Sequence, residues 1–221
     1  MKKHILCLGD SNTHGYCADF NDCADKELYR FNENERWTCV LQKLLGEDYL
    51  VIEEGLSGRT TVFEDPISEG MSALEYLYPC LKSHEPIDLL IVMLGTNDVK
   101  ERIGANAYVI AQGMRRLLEK ALSINCWTPH CKPQILLIAP PPIEEGMYES
   151  PVAEEMGKES VEKSRMLSAE YKRISELLGI HFLDAKELGC TFNKIDFMHL
   201  TNNSHRLLAE NLWDWIRCTL K

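Results

Sequence analysis

Leu89-Leu90-Ile91-Val92-Met93-Leu94 is the longest uninterrupted apolar run of the sequence, and Gly95-Thr96-Asn97-Asp98 follows it directly. The run is far too short for a membrane-spanning helix, which needs about 20 apolar residues. A short apolar run bounded by turn residues is typical of a strand buried on both faces of a parallel sheet. The run therefore predicts a central strand that ends at a polar loop.

Four other short apolar segments alternate with helical patterns along the chain. We predict strands at His4–Leu8, Tyr49–Glu53, Gln134–Ala139 and Ile180–Asp184. The spacing of apolar residues predicts helices around residues 37–45, 74–81, 110–121 and 160–178, and after Thr201.

This alternation predicts an α/β fold of the three-layer αβα type, in which helices cover both faces of a five-stranded parallel sheet. Because strand crossovers are right-handed, we expect a doubly wound, flavodoxin-like strand order. Ligands then bind beyond the carboxyl ends of the first three strands, where the winding reverses. The 221 residues contain no evident linker or repeat, so we predict a single domain over residues 1–221.

The charge and cysteine content exclude several classes of partner and cofactor. The net charge is −10 and no basic run is present, so we predict no nucleic acid partner and no membrane partner. The nine cysteines form no Cys-x-x-Cys pair, and Cys126, His130 and Cys131 match no standard zinc spacing. The apolar segment Ile5–Leu8 is too short for a signal peptide. These features predict a cytoplasmic protein with reduced thiols and no metal.

Three polar segments follow the first three predicted strands. Ser11, in Gly9-Asp10-Ser11, lies where a strand turns into a helix, and the backbone N–H groups there favour a developing negative charge. Gly58 lets a backbone N–H approach a ligand closely, and the side-chain amide of Asn97 is a second donor for an oxyanion. Taken alone, each segment is equally explained as a helix cap, a glycine turn or an Asx turn.

A fourth segment, Asp196-Phe197-Met198-His199, precedes the last predicted helix. A carboxylate three residues before a histidine can hold Nδ1, so that Nε2 faces a nucleophile. Alone, the pair is equally explained as a surface turn. Together, the four segments supply a nucleophile, a base, an orienting carboxylate and oxyanion donors. Asp10 is predicted to support the turn rather than to react, because a carboxylate beside an oxyanion opposes charge development.

These four segments, in this order, resemble the SGNH branch of the GDSL esterase/lipase superfamily, and the resemblance extends from Ile5 to about Leu208. It implies the SGNH hydrolase fold and a catalytic triad of Ser11, Asp196 and His199. It also implies an oxyanion hole formed by Ser11, Gly58 and Asn97, and no cofactor.

Further segments are similar to a bacterial arylesterase/acyltransferase subgroup of this superfamily. They are Arg36-Trp37-Thr38, the residues 53–57 with Arg59-Thr60-Thr61, and the residues 93–98. Some members of that subgroup prefer acyl transfer and form large oligomers. The resemblance therefore implies a homo-oligomer and leaves both hydrolysis and transfer open.

The expected function is that of a serine esterase acting on small acyl or aryl esters. A carbohydrate acetyl-esterase, a thioesterase or a lysophospholipase would use the same triad, and a non-catalytic flavodoxin-like binding protein is the alternative outside enzymes. Asp10 argues against the last class, because it would repel a phosphate. Tyr16, Phe63 and Met147 are candidate walls of the acyl pocket, and His205 is expected on the surface. The long loops at residues 16–35 and 140–157 are candidate lids or contact surfaces.

Overall fold

A computed structural model describes residues 2–25 and 29–220 of the chain. Its parallel sheet has the strand order β2-β1-β3-β4-β5. The strands are β1 (Lys3–Gly9), β2 (Tyr49–Gly55), β3 (Leu89–Met93), β4 (Ile135–Ala139) and β5 (His181–Asp184). This order confirms the predicted flavodoxin-like sheet, and each strand lies within two residues of its predicted bounds.

Alternate side chains of the central strands enter two separate hydrophobic cores. Leu6 of β1 and Val92 of β3 belong to the core on one face of the sheet. Ile5 and Ile91, each one residue away from these, belong to the core on the other face. The two-residue period of a strand explains this division, and it explains why both strands are apolar at every buried position.

Helices cover both faces of the sheet, as predicted. They are α1 (Ser11–His14), α2 (Trp37–Leu45), α3 (Ala73–Ser83), α4 (Ala107–Ser123), α5 (Ala153–Met156), α6 (Ser160–Leu178) and α7 (Asn202–Thr219). The helices α3, α4 and α6 pack on one face, and α2 and α7 pack on the other. No helix of the described part of the chain is both long and apolar enough to cross a bilayer.

The predicted loop at residues 140–157 is largely fixed by packing. It contains a 3-10 helix at Glu145–Glu149 and the short helix α5. Ile143, Met147 and Met156 anchor it in the core on the side of α4 and α6. The segment is therefore part of the packed structure, and it reaches the carboxyl ends of the strands.

The carboxyl ends of β1 and β2 are held close to α1. Gly9 and Gly55 are paired in the sheet register. A Cβ at Gly9 would overlap the Thr13 side chain, and one at Gly55 would overlap the backbone of His14. These two glycines thus allow α1 to lie directly against the sheet, with Ser11 at its start.

Candidate active site

Ser11, His199 and Asp196 form a continuous hydrogen-bonded chain. Ser11 Oγ lies 2.8 Å from His199 Nε2, and His199 Nδ1 lies 2.7 Å from Asp196 Oδ2. All three residues are buried. The ring of Tyr16 lies against the imidazole with 4.5 Å between ring centroids. In this arrangement His199 can accept a proton from the Ser11 hydroxyl, and Asp196 can stabilise the resulting imidazolium.

The Asp196 carboxylate is oriented by donors on its second oxygen. Asp196 Oδ1 accepts hydrogen bonds from Asn193 Nδ2 and from the backbone N–H groups of Met198 and His199, at 3.0–3.1 Å. The tight turn also requires Phe197 at φ +60°, a left-handed conformation that is strained for this residue type. These contacts leave Oδ2 to face His199.

Burial and hydrogen bonding act in opposite directions on Asp196. Burial raises the pKa of its carboxyl group, but the hydrogen bond and charge of His199, together with the backbone N–H donors, outweigh it. The net effect is a pKa below the ordinary value for aspartate. The carboxylate therefore stays ionised at neutral pH, as an orienting group for a histidine base requires.

Asn12 joins the nucleophile turn to the histidine loop. Its Nδ2 donates to Met198 O at 3.1 Å, and its Oδ1 accepts from the backbone N–H of Leu200 at 2.9 Å. The two partners, Met198 and Leu200, are the residues directly before and after His199. Asn12 therefore fixes the distance between Ser11 and His199. Sequence reasoning missed this role because the partners of Asn12 lie 186 and 188 residues away in sequence. It also missed Asn193, although the partners of Asn193 lie three and six residues away.

The expected oxyanion donors line the same cavity as Ser11. Gly58 has φ +89°, a conformation that glycine adopts without strain. The side-chain amide of Asn97 is buried and donates one hydrogen bond to Arg59 O at 3.1 Å. The N–H of Ser11, at the first position of α1, has no intrahelical acceptor.

Buried polar contacts hold the Gly58 loop in place. Asp98 accepts hydrogen bonds from the backbone N–H of Thr61, at 2.9 and 3.1 Å, and from its hydroxyl. The guanidinium of Arg59 donates to Gly9 O at 3.2 Å. The loops after β1, β2 and β3 are thus connected to one another around Ser11.

The cavity in front of Ser11 has a volume of about 200 Å³. It is lined by Ser11, Tyr16, Ser57, Gly58, Asn97, Lys100, Val152, Glu155, Asp196, Met198 and His199. Tyr16 is a wall of the cavity, as expected. Phe63 and Met147 do not line it, so that expectation was wrong: Met147 is buried in the core, and Phe63 is partly buried and packs against the core.

A family model described as the GDSL-like lipase/acylhydrolase family matches residues 7–207. The chain belongs to this family. Esterases are also found among solved structures similar to this GDSL-like acylhydrolase. A carbohydrate acetylesterase from Sinorhizobium meliloti is 34% identical, with a TM-score of 0.86. The aryl esterase of M. smegmatis is also 34% identical, with a TM-score of 0.85.

A putative arylesterase from Agrobacterium tumefaciens is 32% identical to the GDSL-like acylhydrolase, with a TM-score of 0.82. In all three comparisons the match covers 98% of this chain and 99% of the other. A comparison with curated proteins gives no significant match. The family and the fold together are those of a carboxylic ester hydrolase.

Asp10 is the N-cap residue of α1 in this GDSL-like acylhydrolase, directly before Ser11. Its Oδ1 accepts a hydrogen bond from the backbone N–H of Asn12 at 2.9 Å. Its Oδ2 is buried and has no hydrogen-bond partner among the residues that the structure describes. Burial raises the pKa of Asp10 to about 6, against the attraction of His199 and Arg59.

Asp10→Asn should stabilise the GDSL-like acylhydrolase more at pH 7 than at pH 4. Because the folded-state pKa of Asp10 is raised from 3.8 to about 6, the wild type loses stability as the pH rises through that window. Asparagine has no such titration. We expect the free energy of unfolding of the variant, relative to wild type, to rise by about 1–3 kcal/mol between these pH values.

Urea unfolding at a series of pH values measures this difference. The pKa of Asp98 is also raised to about 6, first by burial and in part by the charge of Asp10. Loss of that charge in the variant lowers the pKa of Asp98 and so acts in the same direction. A difference between variant and wild type that does not change with pH would contradict the prediction.

His205 is buried, contrary to the expectation that it lies on the surface. Its Nδ1 accepts a hydrogen bond from the backbone N–H of Trp37 at 3.3 Å, and its ring packs edge-on against Phe31. Burial lowers the pKa of His205 to about 3. The side chain is therefore neutral and structural. Within the described ranges, no three His, Cys, Asp or Glu side chains form a group that could hold a metal ion.

Proposed function

We propose that this chain is a serine esterase that releases small acyl groups from carboxylic esters through an acyl-enzyme. The observation that carries the proposal is the chain of hydrogen bonds from Ser11 Oγ through His199 to Asp196, which opens into a cavity of about 200 Å³. Family membership supports the reaction class, and this geometry supports the residue roles.

In the proposed mechanism, His199 Nε2 takes the proton of the Ser11 hydroxyl as Oγ attacks the ester carbonyl. Asp196 holds Nδ1 and stabilises the imidazolium. The tetrahedral intermediate collapses when the C–O bond to the alcohol breaks and His199 returns the proton to the leaving oxygen. Water, deprotonated by His199, then attacks the acyl-enzyme and releases the acid and Ser11.

The carbonyl oxygen gains negative charge in each tetrahedral intermediate. The proposed donors are the backbone N–H groups of Ser11 and Gly58 and the side chain of Asn97. Donors fixed before the reaction need no reorganisation as charge develops, and the loss of one typically costs about 10²–10³ in kcat. The Arg59 O contact fixes the plane of the Asn97 amide, so its second N–H is the group proposed for the oxyanion.

The cavity volume favours a short acyl group. Pockets for drug-sized ligands are commonly about 300–1,000 Å³, and this cavity is smaller. Acetyl and similar groups are therefore the proposed acyl substrates, while thioesters and lysophospholipids with long chains fit less well. Transfer to an alcohol in place of water uses the same acyl-enzyme.

A carbohydrate acetylesterase is the second candidate. It is supported by the 34% identity to an enzyme of that kind, and by the polar side chains of Tyr16 and Ser57 on the cavity wall. Hydroxyl groups of a sugar can both donate to and accept from such side chains. The two candidates share the acyl group and differ in the alcohol.

Three further proposals concern the domain organisation, the cellular location and the oligomeric state of the chain. The five strands form one sheet, which supports a single domain over residues 1–221. The nine cysteines are free, which supports a reducing, cytoplasmic location. The resemblance to the arylesterase/acyltransferase subgroup supports a homo-oligomer.

Hydrolysis of p-nitrophenyl esters from acetate to octanoate tests the proposed function. We expect kcat/KM to be highest for acetate or butyrate, because longer chains exceed the cavity. A maximum at octanoate would contradict the small acyl pocket. Acetylated sugars, assayed by acetate release, separate the two candidates: a higher kcat/KM for them than for p-nitrophenyl acetate would favour the carbohydrate acetylesterase.

A further inference from the structure

Lys100 is a buried charged residue on the wall of the catalytic cavity. It is 3% exposed and follows Asn97 by three residues, with its backbone N–H bonded to Asn97 O at 3.3 Å. Its Nζ donates to Glu155 Oε1 at 2.6 Å. In the described part of the chain, this carboxylate is the one hydrogen-bond acceptor of the ammonium group. The mechanism proposed above does not use either side chain.

Glu155 belongs to α5 and brings that helix to the cavity. Its side chain is 51% exposed, and burial of its remainder raises the pKa, but the hydrogen bond from Lys100 outweighs this effect and the pKa is lowered. The Glu155 carboxylate is therefore ionised at neutral pH. An ion pair with one buried member is held more firmly than a pair on the open surface.

Arg102 fastens the same segment at a second point. It donates to the backbone oxygen of Glu155 at 2.9 Å and lies 3.6 Å from the Glu155 carboxylate. It is itself held by Asp65, with donor–acceptor distances of 2.8–3.1 Å. Val152, at the start of α5, lines the cavity together with Glu155. The segment thus forms a wall that Lys100 and Arg102 hold against the loop after β3.

We propose that the Lys100–Glu155 ion pair is a specificity element that limits the length of the acyl group at this site. The inference rests on the proposed esterase function and deepens it. The cavity of about 200 Å³ has room for a short acyl group with α5 in its present position. A long chain must either displace α5 or lie against an ammonium and a carboxylate, and covering charged groups with alkyl carbon removes their hydration without replacement.

Removing either charge should admit longer chains. Lys100→Met keeps the length of the side chain but removes the ammonium, and Glu155→Ala removes the carboxylate from the wall. We expect the ratio of kcat/KM for p-nitrophenyl octanoate to that for the acetate to rise about tenfold in each variant, as typical for a few methylenes newly accepted by an apolar pocket. The pair acts as a unit, so the double variant should not exceed the larger single effect.

Glu154→Ala is the matched control. Glu154 is the preceding residue of α5, and it is exposed and does not line the cavity. We expect it to leave the ratio unchanged. Glu155→Ala leaves the buried ammonium of Lys100 without this acceptor, whereas Lys100→Met leaves a half-exposed carboxylate. Lys100→Met therefore keeps the test valid even where Glu155→Ala does not fold.

The outcomes separate this inference from the proposed function. Unchanged ratios in Lys100→Met and Glu155→Ala, with Ser11-dependent hydrolysis intact, would overturn the inference alone. The same is true of a double variant whose ratio is the product of the single effects, because the two side chains would then act independently. Hydrolysis by the wild type that does not depend on Ser11 would overturn the proposed function and the inference with it.

Discussion

Ser11→Ala should reduce kcat/KM for p-nitrophenyl acetate by about 10⁴–10⁶-fold, down to the rate that binding and the oxyanion donors alone support. The physical reason is the loss of the only oxygen in hydrogen-bond contact with His199 Nε2 within the described structure. The side chain is small and buried at the start of α1, so the alanine variant should fold. Initial rates and circular dichroism, measured on the same preparations, check both statements.

Covalent labelling provides the control for this result. A serine-directed organophosphonate should label the wild type once and Ser11→Ala not at all, as mass spectrometry of the intact protein would show. Ser57 lines the same cavity, but in the described part of the chain the ring nitrogens of His199 are hydrogen-bonded to Asp196 and Ser11 instead. Ser57→Ala should therefore still be labelled. Labelling of Ser11→Ala, or a loss of activity below tenfold, would contradict the role of Ser11.

Asp196→Asn should lower kcat by about 10⁴-fold while KM changes little, as expected when a histidine base is held in the wrong tautomer. The structure dictates how the amide would sit. The oxygen at the position of Oδ1 accepts three N–H groups, so the amide oxygen remains there and the NH₂ group faces His199 Nδ1. His199 Nε2 then carries the proton and cannot accept one from Ser11.

The asparagine variant is a sharper test than alanine, because it keeps the three hydrogen bonds that shape the turn. Thermal unfolding of both proteins shows whether the loop is preserved. A kcat reduced by less than tenfold, with the fold intact, would remove Asp196 from the mechanism. If kcat falls by about 10⁴-fold but the melting temperature also drops strongly, Asp196 would instead have a structural role.

The fold could be predicted from the sequence because the strands are buried on both faces. The segment Leu89–Leu94 is apolar at every position, and the structure gives its alternate residues to two cores. Such a strand has only one class of surroundings, a parallel sheet between helical layers. The order of the strands followed from the handedness of the crossovers.

The candidate site was predictable where its residues follow strand ends. Ser11, Gly58 and Asn97 each lie just beyond a strand, so the topology places them near one another. The partners of Asn12 lie up to 188 residues away in sequence, and no local pattern encodes such a contact. For the same reason the Lys100–Glu155 pair and the burial of His205 against Phe31 were not predicted.

The Asn12 bridge has a consequence for the synthesis of the protein. The nucleophile turn leaves the ribosome early, but its hydrogen-bonding partners around His199 are made 188 residues later. A nascent chain that has already formed β1, α1 and most of the sheet therefore carries an unactivated serine. By the proposed mechanism, such a chain does not hydrolyse esters until the segment before α7 has emerged and docked.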